Sequence, residues 1–213
     1  MPVRRSKDTV TQTQRHKASF VYPCASDPTH GNRLIVEIGP GRGDFLFHLA
    51  ESNPDAEIVG IEIKGKRVDK LIARIERRRF ANVTIIQDDA RAALPRHFAQ
   101  GTVNEIHIQF PDPWPKRRHE KHRPINEELL ADCARVLRPG GTLSFITDHR
   151  PYAELSSGML ARTKGLTNCY EAPFVTDLAD AFPTLFSEKW KAEGRTIYYQ
   201  RYIKPLPSPR VTV

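Results

Sequence analysis

Beyond residue 33, short apolar runs alternate with stretches in which apolar side chains recur every three or four positions. The apolar runs predict strands at residues 34–38, 57–63, 83–86, 105–110 and 142–147. Amphipathic helical patterns lie between these runs, and an alternation of strands and helices is typical of βαβ units. The sequence therefore predicts an α/β fold built around a parallel sheet.

The clearest helical pattern lies between the second and third predicted strands. Val68, Leu71, Ile72 and Ile75 follow one another at the spacing i, i+3, i+4 and i+7, which puts them on one face of a helix. Further helices are predicted after the first strand, after Asn126 as an N-cap, and near residues 152–163. Their apolar faces would pack against the sheet.

The ends of the chain differ from this core. Residues 1–31 are polar and rich in Arg and Lys without a sustained period, so we predict a flexible basic arm. A β-like run covers residues 195–202, and residues 205–213 form a Pro-rich tail. A chain of 213 residues suits one domain, which we predict at residues 32–204.

Charge and cysteine content narrow the possible partners. The chain has 33 Lys and Arg against 25 Asp and Glu, an excess that favours a polyanionic partner. Its three cysteines lack metal-ligand spacing and predict reduced thiols and no metal site. The first residues lack the apolar core of a signal peptide, and no run of about 18 apolar residues occurs. We therefore expect a cytoplasmic protein without a membrane span.

The predicted second helix is strongly basic opposite its apolar stripe. Its cationic residues are Lys64, Lys66, Arg67, Lys70, Arg74, Arg77, Arg78 and Arg79. Such a run is often a solvated face. Because only Asp69 and Glu76 offset it, contact with RNA or phosphate is an equally good interpretation.

Glycine or acidic residues recur where successive predicted strands end. These positions are Gly39, Glu62, Asp89, Asp112 and Asp148. Parallel strands present their carboxyl ends at one edge of the sheet, and open α/β sheets bind ligands at that edge. The pattern predicts a ligand site there.

The glycine loop after the first strand favours a nucleoside cofactor. Gly39, Gly41 and Gly43 alternate with other residues, and glycine lets backbone approach a ligand closely. A dinucleotide site would require the spacing G-x-G-x-x-G, which is absent here. With Glu37 two residues before the loop, the segment resembles the first motif of class I S-adenosylmethionine-dependent methyltransferases.

This resemblance implies a Rossmann-like fold with a mostly parallel seven-stranded sheet and helices on both faces. It also implies S-adenosylmethionine as the methyl donor. The glycines would line its methionine part, and Glu37 would also be a cofactor-binding residue. Glu62 matches the acid that binds the ribose, and Asp89 with Ala90 matches the loop that meets the adenine.

A proline-rich stretch after the fourth predicted strand narrows the substrate. Asp112 lies between Pro111 and Pro113, and a residue before proline is restricted to extended conformations, so the carboxylate sits on a stiff segment. Trp114 and a basic run at residues 116–123 follow. Taken alone, the prolines also suit a simple loop at a strand end.

This stretch looks like the P-D-P-W motif of the bacterial tRNA (guanine-N7)-methyltransferases. The resemblance implies that Asp112 is the catalytic or substrate-orienting acid and that Lys116 and His119 bind substrate. Asp148 matches a further RNA-site acid, and Thr196 to Tyr199 partly fits a C-terminal T-x-F/Y-E motif. The implied reaction is methylation of a guanine in tRNA, in the variable loop, by a monomer or homodimer.

Two positions depart from the family pattern. His122 stands where arginine is usual, and Tyr199 stands where the motif has glutamate, which removes an acceptor for the base edge. Two other functions therefore remain open: a methyltransferase of the same fold with another RNA or small-molecule substrate, and a noncatalytic RNA-binding protein. A nicotinamide-dependent oxidoreductase is disfavoured by the glycine spacing.

Guanine N7 is a lone-pair acceptor with no proton to remove. Attack on a sulfonium methyl group therefore requires positioning more than a general base. The methylated ring becomes cationic, so a fixed carboxylate that accepts a hydrogen bond from N1–H or the 2-amino group would orient the base and stabilise its charge. We expect Asp112 to play this part, although an ion pair with Arg117 or Arg118 is the alternative.

Overall fold

The computed structural model describes residues 33–113, 125–176, 178 and 185–207. The predicted arm at 1–31 and most of the predicted tail lie outside these residues. The helices and strands, in chain order, are β1 Leu34–Ile38, α1 Asp44–Ser52, β2 Glu57–Ile61, α2 Gly65–Arg78, β3 Val83–Ile86, α3 Ala90–His97, β4 Val103–Gln109, α4 Glu127–Val136, β5 Leu137–Thr147, α5 Arg150–Arg162, β6 Thr167–Asn168, α6 Leu185–Ala192 and β7 Tyr198–Ile203.

In these described parts of the chain, the strands form one seven-stranded sheet in the order β3-β2-β1-β4-β5-β7-β6. Strands β1 to β5 pair in parallel, and β7 is antiparallel to β5 and β6. The predicted Rossmann-like, mostly parallel sheet is confirmed. The order changes direction between β1 and β4, and ligands in open α/β sheets bind at such a point.

The core lies on both faces of the sheet because successive side chains of a buried parallel strand point to opposite faces. In β1, Ile35 packs with α1 and α2, whereas Val36 and Ile38 pack with α3, α4 and α5. The apolar stripe predicted for α2 is confirmed, with Val68 and Leu71 almost fully buried. Helices therefore cover both faces, as predicted.

The structure adds elements that the apolar pattern does not predict. Helix α3 follows β3 directly and contains Pro95, and the Asp89 side chain caps it by accepting a hydrogen bond from the Arg91 N–H. Helix α6 precedes β7. Strand β5 begins at Leu137 and not at residue 142 as predicted, and its first residues lie where its register with β4 shifts.

No helix among the described residues is long and apolar enough to cross a lipid bilayer.

Candidate active site

The carboxyl ends of the parallel strands surround a cavity of about 1020 Å³. Its lining comes from the β1–α1 loop, the start of α2 and the segment after β4. The two residues after β5, the end of α6 and the loop that follows α6 complete it. The predicted residues that line it are Glu37, Gly39, Gly41, Asp112 and Asp148. The structure therefore brings together acids and glycines that are up to 111 positions apart in the sequence (148 − 37).

The three glycines of the loop have different surroundings. Gly39, Gly41 and Gly43 have φ of 75°, 58° and 82°, in the left-handed region that side chains other than glycine rarely adopt. A Cβ at Gly39 would meet nothing within 4 Å, so the loop backbone there is open to the cavity. A Cβ at Gly43 would lie 2.4 Å from Leu71 Cδ2, so this glycine allows α1 to pack against α2.

Glu62 lies just after β2 with 2% of its surface exposed, and it is not among the described residues that line the cavity. Its carboxylate accepts hydrogen bonds from the backbone N–H groups of Gly41, at 3.3 Å, and Lys64, at 2.9 Å. The Arg67 guanidinium is 3.7 Å away. These bonds join the glycine loop to the start of α2 and fix the direction of the carboxylate.

Glu37 is a buried acid with an unsatisfied oxygen. Its Oε2 has no hydrogen-bond partner, and the residue lines the cavity. Burial, with smaller contributions from the charges of Asp44 and Glu62, raises the pKa of Glu37 to about 8. A buried polar atom without a partner is uncommon in a folded protein, and here it marks a position where a donor on a bound molecule would be accommodated.

Asp89 and Ala90 lie beyond the cavity lining, at the start of α3. The Asp89 carboxylate pairs with the Arg91 side chain, whose hydrogen bonds lower the pKa of Asp89. Asp89 therefore lies at the predicted edge of the sheet, but its carboxylate is paired with Arg91 in the first turn of α3.

The segment after β4 is locally strained. Phe110 has φ of 45°, unusual for a residue with a Cβ, and its backbone N–H donates to the carbonyl of Ile146 at 2.8 Å. Phe110 and the next three residues line the cavity, with Asp112 exposed between its two prolines. Strained backbone concentrates at functional sites, where surrounding structure holds it.

Asp148 follows β5 and is held by a residue that the sequence interpretation missed. Arg195 Nη1 donates to Asp148 Oδ2 at 2.8 Å, and the Arg195 guanidinium lies 3.8 Å from the centroid of the Trp190 ring. Both Arg195 and Trp190 line the cavity. No sequence pattern connects these residues to Asp148, since 47 positions separate the ion pair.

The basic face predicted for α2 borders the cavity in part. Its lining members are Lys64, Arg67, Lys70 and Arg74, and Arg42 of the glycine loop joins them. Arg74 is already bound to Asp44 and to the Arg42 carbonyl, and Arg78 is paired with Glu51. The rim of the cavity is therefore cationic beside the glycine loop.

The remaining predicted substrate residues are not brought to this cavity by the described chain. Lys116, His119 and His122 lie outside the described residues. Thr196 is exposed just before β7, and Tyr199 is 3% exposed within β7, paired with Ile146. Neither is among the described residues that line the cavity.

In the part of the chain that the structure describes, no group of three or more His, Cys, Asp or Glu residues is arranged to hold a metal ion.

Residues 31–200 match a family model described as "Putative methyltransferase". The chain is 34% identical to the tRNA (guanine-N(7)-)-methyltransferase of Syntrophotalea carbinolica over 85% of this chain and 79% of that protein. It is 37% identical to the protein of the same name from Treponema pallidum, over 88% of this chain and 72% of that one.

Solved structures show the same fold. The antibiotic-resistance methyltransferase Kmr is 19% identical with a TM-score of 0.57, covering 84% of this chain and 90% of that chain. A SAM-dependent methyltransferase from Aquifex aeolicus is 12% identical with a TM-score of 0.58, covering 81% and 82%. At these identities, the likeness establishes the fold alone.

Proposed function

Because this chain belongs to the tRNA (guanine-N7-)-methyltransferase family, we propose that it transfers a methyl group from S-adenosylmethionine to N7 of a guanine in tRNA, in the variable loop. One observation carries the proposal. The open glycine loop and the proline-flanked Asp112 line the same cavity, at the point where the strand order changes direction.

The residues of the β1–β2 side fit the cofactor. The backbone of Gly39 and Gly41 is unobstructed, as close approach by a ligand requires. Glu62 offers a buried carboxylate of fixed direction to the ribose hydroxyls, and the unpaired oxygen of Glu37 suits a donor on the methionine part. When bound, S-adenosylmethionine supplies an electrophilic methyl group.

Asp112 orients the acceptor base in this proposal. Its carboxylate accepts hydrogen bonds from N1–H and the 2-amino group of guanine, which leaves the N7 lone pair free to point at the cofactor side of the cavity. The positive charge that develops on the ring is stabilised by the same carboxylate. No side chain has to remove a proton from N7, so the rate depends on alignment.

Cationic residues beside the cavity bind the tRNA backbone. Lys64, just before α2, and Lys70 of α2 lie at the cavity rim, and we expect Lys116 and His119 to add to this surface. Phosphate contacts of this kind are independent of sequence and weaken as salt concentration rises.

The experiment is transfer of radiolabelled methyl groups from S-adenosylmethionine to unmodified tRNA, followed by borohydride reduction and aniline cleavage at 7-methylguanine. Chain scission at one guanine of the variable loop is the expected result. Methyl incorporation without scission would reject N7 as the target and favour another RNA substrate position. An absence of calorimetric binding of S-adenosylhomocysteine would favour a noncatalytic RNA-binding protein.

A further inference from the structure

The C-terminal part of the chain contributes a wall of the cavity to which the proposed mechanism gives no role. Trp190 of α6 and Arg195 of the α6–β7 loop line the cavity next to Asp148. Phe45, Phe110 and Trp190 are the aromatic residues among its described lining, and an indole offers the largest π surface of the three. Trp190 is half-buried, and Arg195 lies over one face of its ring, so a ligand would stack on the other face.

The turn that ends α6 brings Arg195 back over Trp190. Gly194 has φ of 73° and donates its backbone N–H to the Lys191 carbonyl at 2.9 Å, while the Arg195 N–H donates to the Trp190 carbonyl at 2.8 Å. These two bonds form a Schellman motif, which requires glycine at the left-handed position. The 3.8 Å separation of the Arg195 guanidinium from the Trp190 ring centroid is within the range of a cation–π contact.

Arg195 is itself held by two acids. Its Nη1 donates to Asp148 Oδ2 at 2.8 Å, and its Nη2 lies 3.1 Å from Glu193 Oε2. The indole, the guanidinium and the Asp148 carboxylate therefore form one connected group in the absence of substrate. Side chains that are ordered in advance lose less entropy when a ligand binds.

We propose that the Trp190 ring stacks on the target guanine, and that Arg195 is a positioning residue that holds Trp190 and Asp148 in place. This inference rests on the proposed function and deepens it by assigning a stacking surface to the base site. Aromatic side chains stack on nucleobases without regard to sequence, so Trp190 would bind the base while Asp112 recognises its edge.

The chemistry of the reaction strengthens the stacking. Methylation at N7 makes the guanine ring cationic, and the face of an indole attracts cations. The interaction with Trp190 therefore grows as the methyl group is transferred, which favours the transition state over the bound substrate. Asp148 and Glu193, both paired with Arg195, offset the positive charge of its guanidinium beside the Trp190 ring.

Kinetics of Trp190→Ala and Trp190→Phe test the stacking. Trp190→Ala should lower kcat/KM for tRNA by about 10- to 100-fold, whereas Trp190→Phe should retain most of the activity. Affinity for S-adenosylhomocysteine, measured by calorimetry, should stay at the wild-type value in both variants. Wild-type kcat/KM in Trp190→Ala would overturn the proposal.

The positioning role is tested with Arg195→Ala and Arg195→Lys. We expect Arg195→Ala to raise KM for tRNA about tenfold, and Arg195→Lys to recover part of this through its remaining charge. Arg162→Ala is the matched control, since it removes an exposed arginine paired with Glu127 on another helix. An equal effect in Arg162→Ala would show a general charge effect and would contradict the positioning role.

A spectroscopic test is independent of turnover. The chain has two tryptophans, so protein labelled with fluorotryptophan gives two fluorine resonances, and Trp190→Phe identifies that of Trp190. With S-adenosylhomocysteine bound, addition of 7-methylguanosine monophosphate should shift the Trp190 resonance, and guanosine monophosphate should shift it less. Arg195→Ala should change the chemical shift of the Trp190 resonance even when no nucleotide is present.

The two proposals fail separately in these measurements. A Trp190 resonance that does not respond to either nucleotide overturns the stacking proposal, whether or not the enzyme methylates tRNA. A wild-type protein that binds cofactor but methylates no tRNA overturns the proposed function, and a Trp190 shift with nucleotide then still supports base stacking.

Discussion

The glycine loop after β1 and the wall formed by Trp190, Arg195 and Asp148 face the same cavity but are held in different ways. The loop is fixed by backbone conformation and by the Gly41 N–H, which donates to Glu62, a residue that is almost fully buried. The wall is fixed by side-chain contacts of Arg195, which remains 46% exposed.

Under the proposed function, this difference follows from what each side of the cavity would bind. A small nucleoside cofactor is enclosed and recognised at a few fixed atoms, which favours rigid, buried groups. A base on a large RNA has to enter and leave, so the groups that receive it lie near the surface. Substitutions on the loop side should therefore affect cofactor affinity and stability, and those on the base side should affect turnover.

Asp112→Asn should have the largest effect on activity. The substitution keeps the size of the side chain but removes the charge that, in the proposed function, orients guanine and stabilises the cationic ring. We expect kcat for tRNA methylation to fall about 100- to 1000-fold, as when one preorganised polar group is lost from a transition state. Single-turnover methyl transfer at saturating tRNA measures it. A fall in kcat of less than threefold would show that Asp112 does not bind the base.

Gly43→Ala should be the most destabilising change on the loop side. A left-handed conformation costs about 1–2 kcal/mol for a residue with a Cβ, and overpacking against Leu71 and Phe47 costs about 1–3 kcal/mol. The free energy of unfolding should fall by about 3 kcal/mol in urea titrations. Gly41→Ala is the control, because its Cβ has only the Gly39 carbonyl oxygen within 4 Å, at 3.9 Å. Equal losses in the two variants would contradict the packing role.

Glu37 should give a smaller effect that depends on pH. Its pKa is raised from 4.5 to about 8, so the folded protein keeps a proton that the unfolded chain releases. The stability from this proton is complete below about pH 4.5 and is lost as the pH rises through about 8, with a slope of up to ~1.4 kcal/mol per pH unit.

Replacement of Glu37 by Gln should remove this contribution to the slope. Urea unfolding of the wild type and Glu37→Gln between about pH 5 and 8 measures the difference. We expect the variant to gain stability relative to the wild type as the pH rises. Parallel curves for the two proteins would show that Glu37 does not carry the linked proton.

The contrast between the glycine loop and the wall of Trp190, Arg195 and Asp148 also explains which parts of the molecule can be predicted from the sequence. Strands β1 to β5, α2 and the glycine loop are encoded by residues that are close in the chain, so their apolar period and spacing are visible directly. The carboxyl-end acids were predicted because parallel strands must share an edge. Helix α3 was missed because it is short, contains Pro95 and lacks a strong apolar stripe.

The base side was harder to predict because it depends on contacts between distant segments. Asp148 and Arg195 are brought together by the antiparallel pairing of β7 with β5. The available signal was Gly194, a residue typical of a helix C-terminus, which would have indicated that α6 ends just before Arg195. Tyr199 is buried because β7 lies between β5 and β6 in the sheet. The apolar pattern of one strand does not reveal which strands lie beside it.

The most direct test of the division between the two sides compares Glu62→Gln with Asp112→Asn. Each variant is incubated with tRNA at increasing concentrations of S-adenosylmethionine, and aniline scission of the tRNA then measures methylation at N7. Glu62 is proposed to act on cofactor affinity, so a high cofactor concentration should restore scission in Glu62→Gln. Asp112 is proposed to act on the base, so scission in Asp112→Asn should stay low at every concentration. Recovery of Asp112→Asn by cofactor would contradict the account, because it would place Asp112 on the cofactor side.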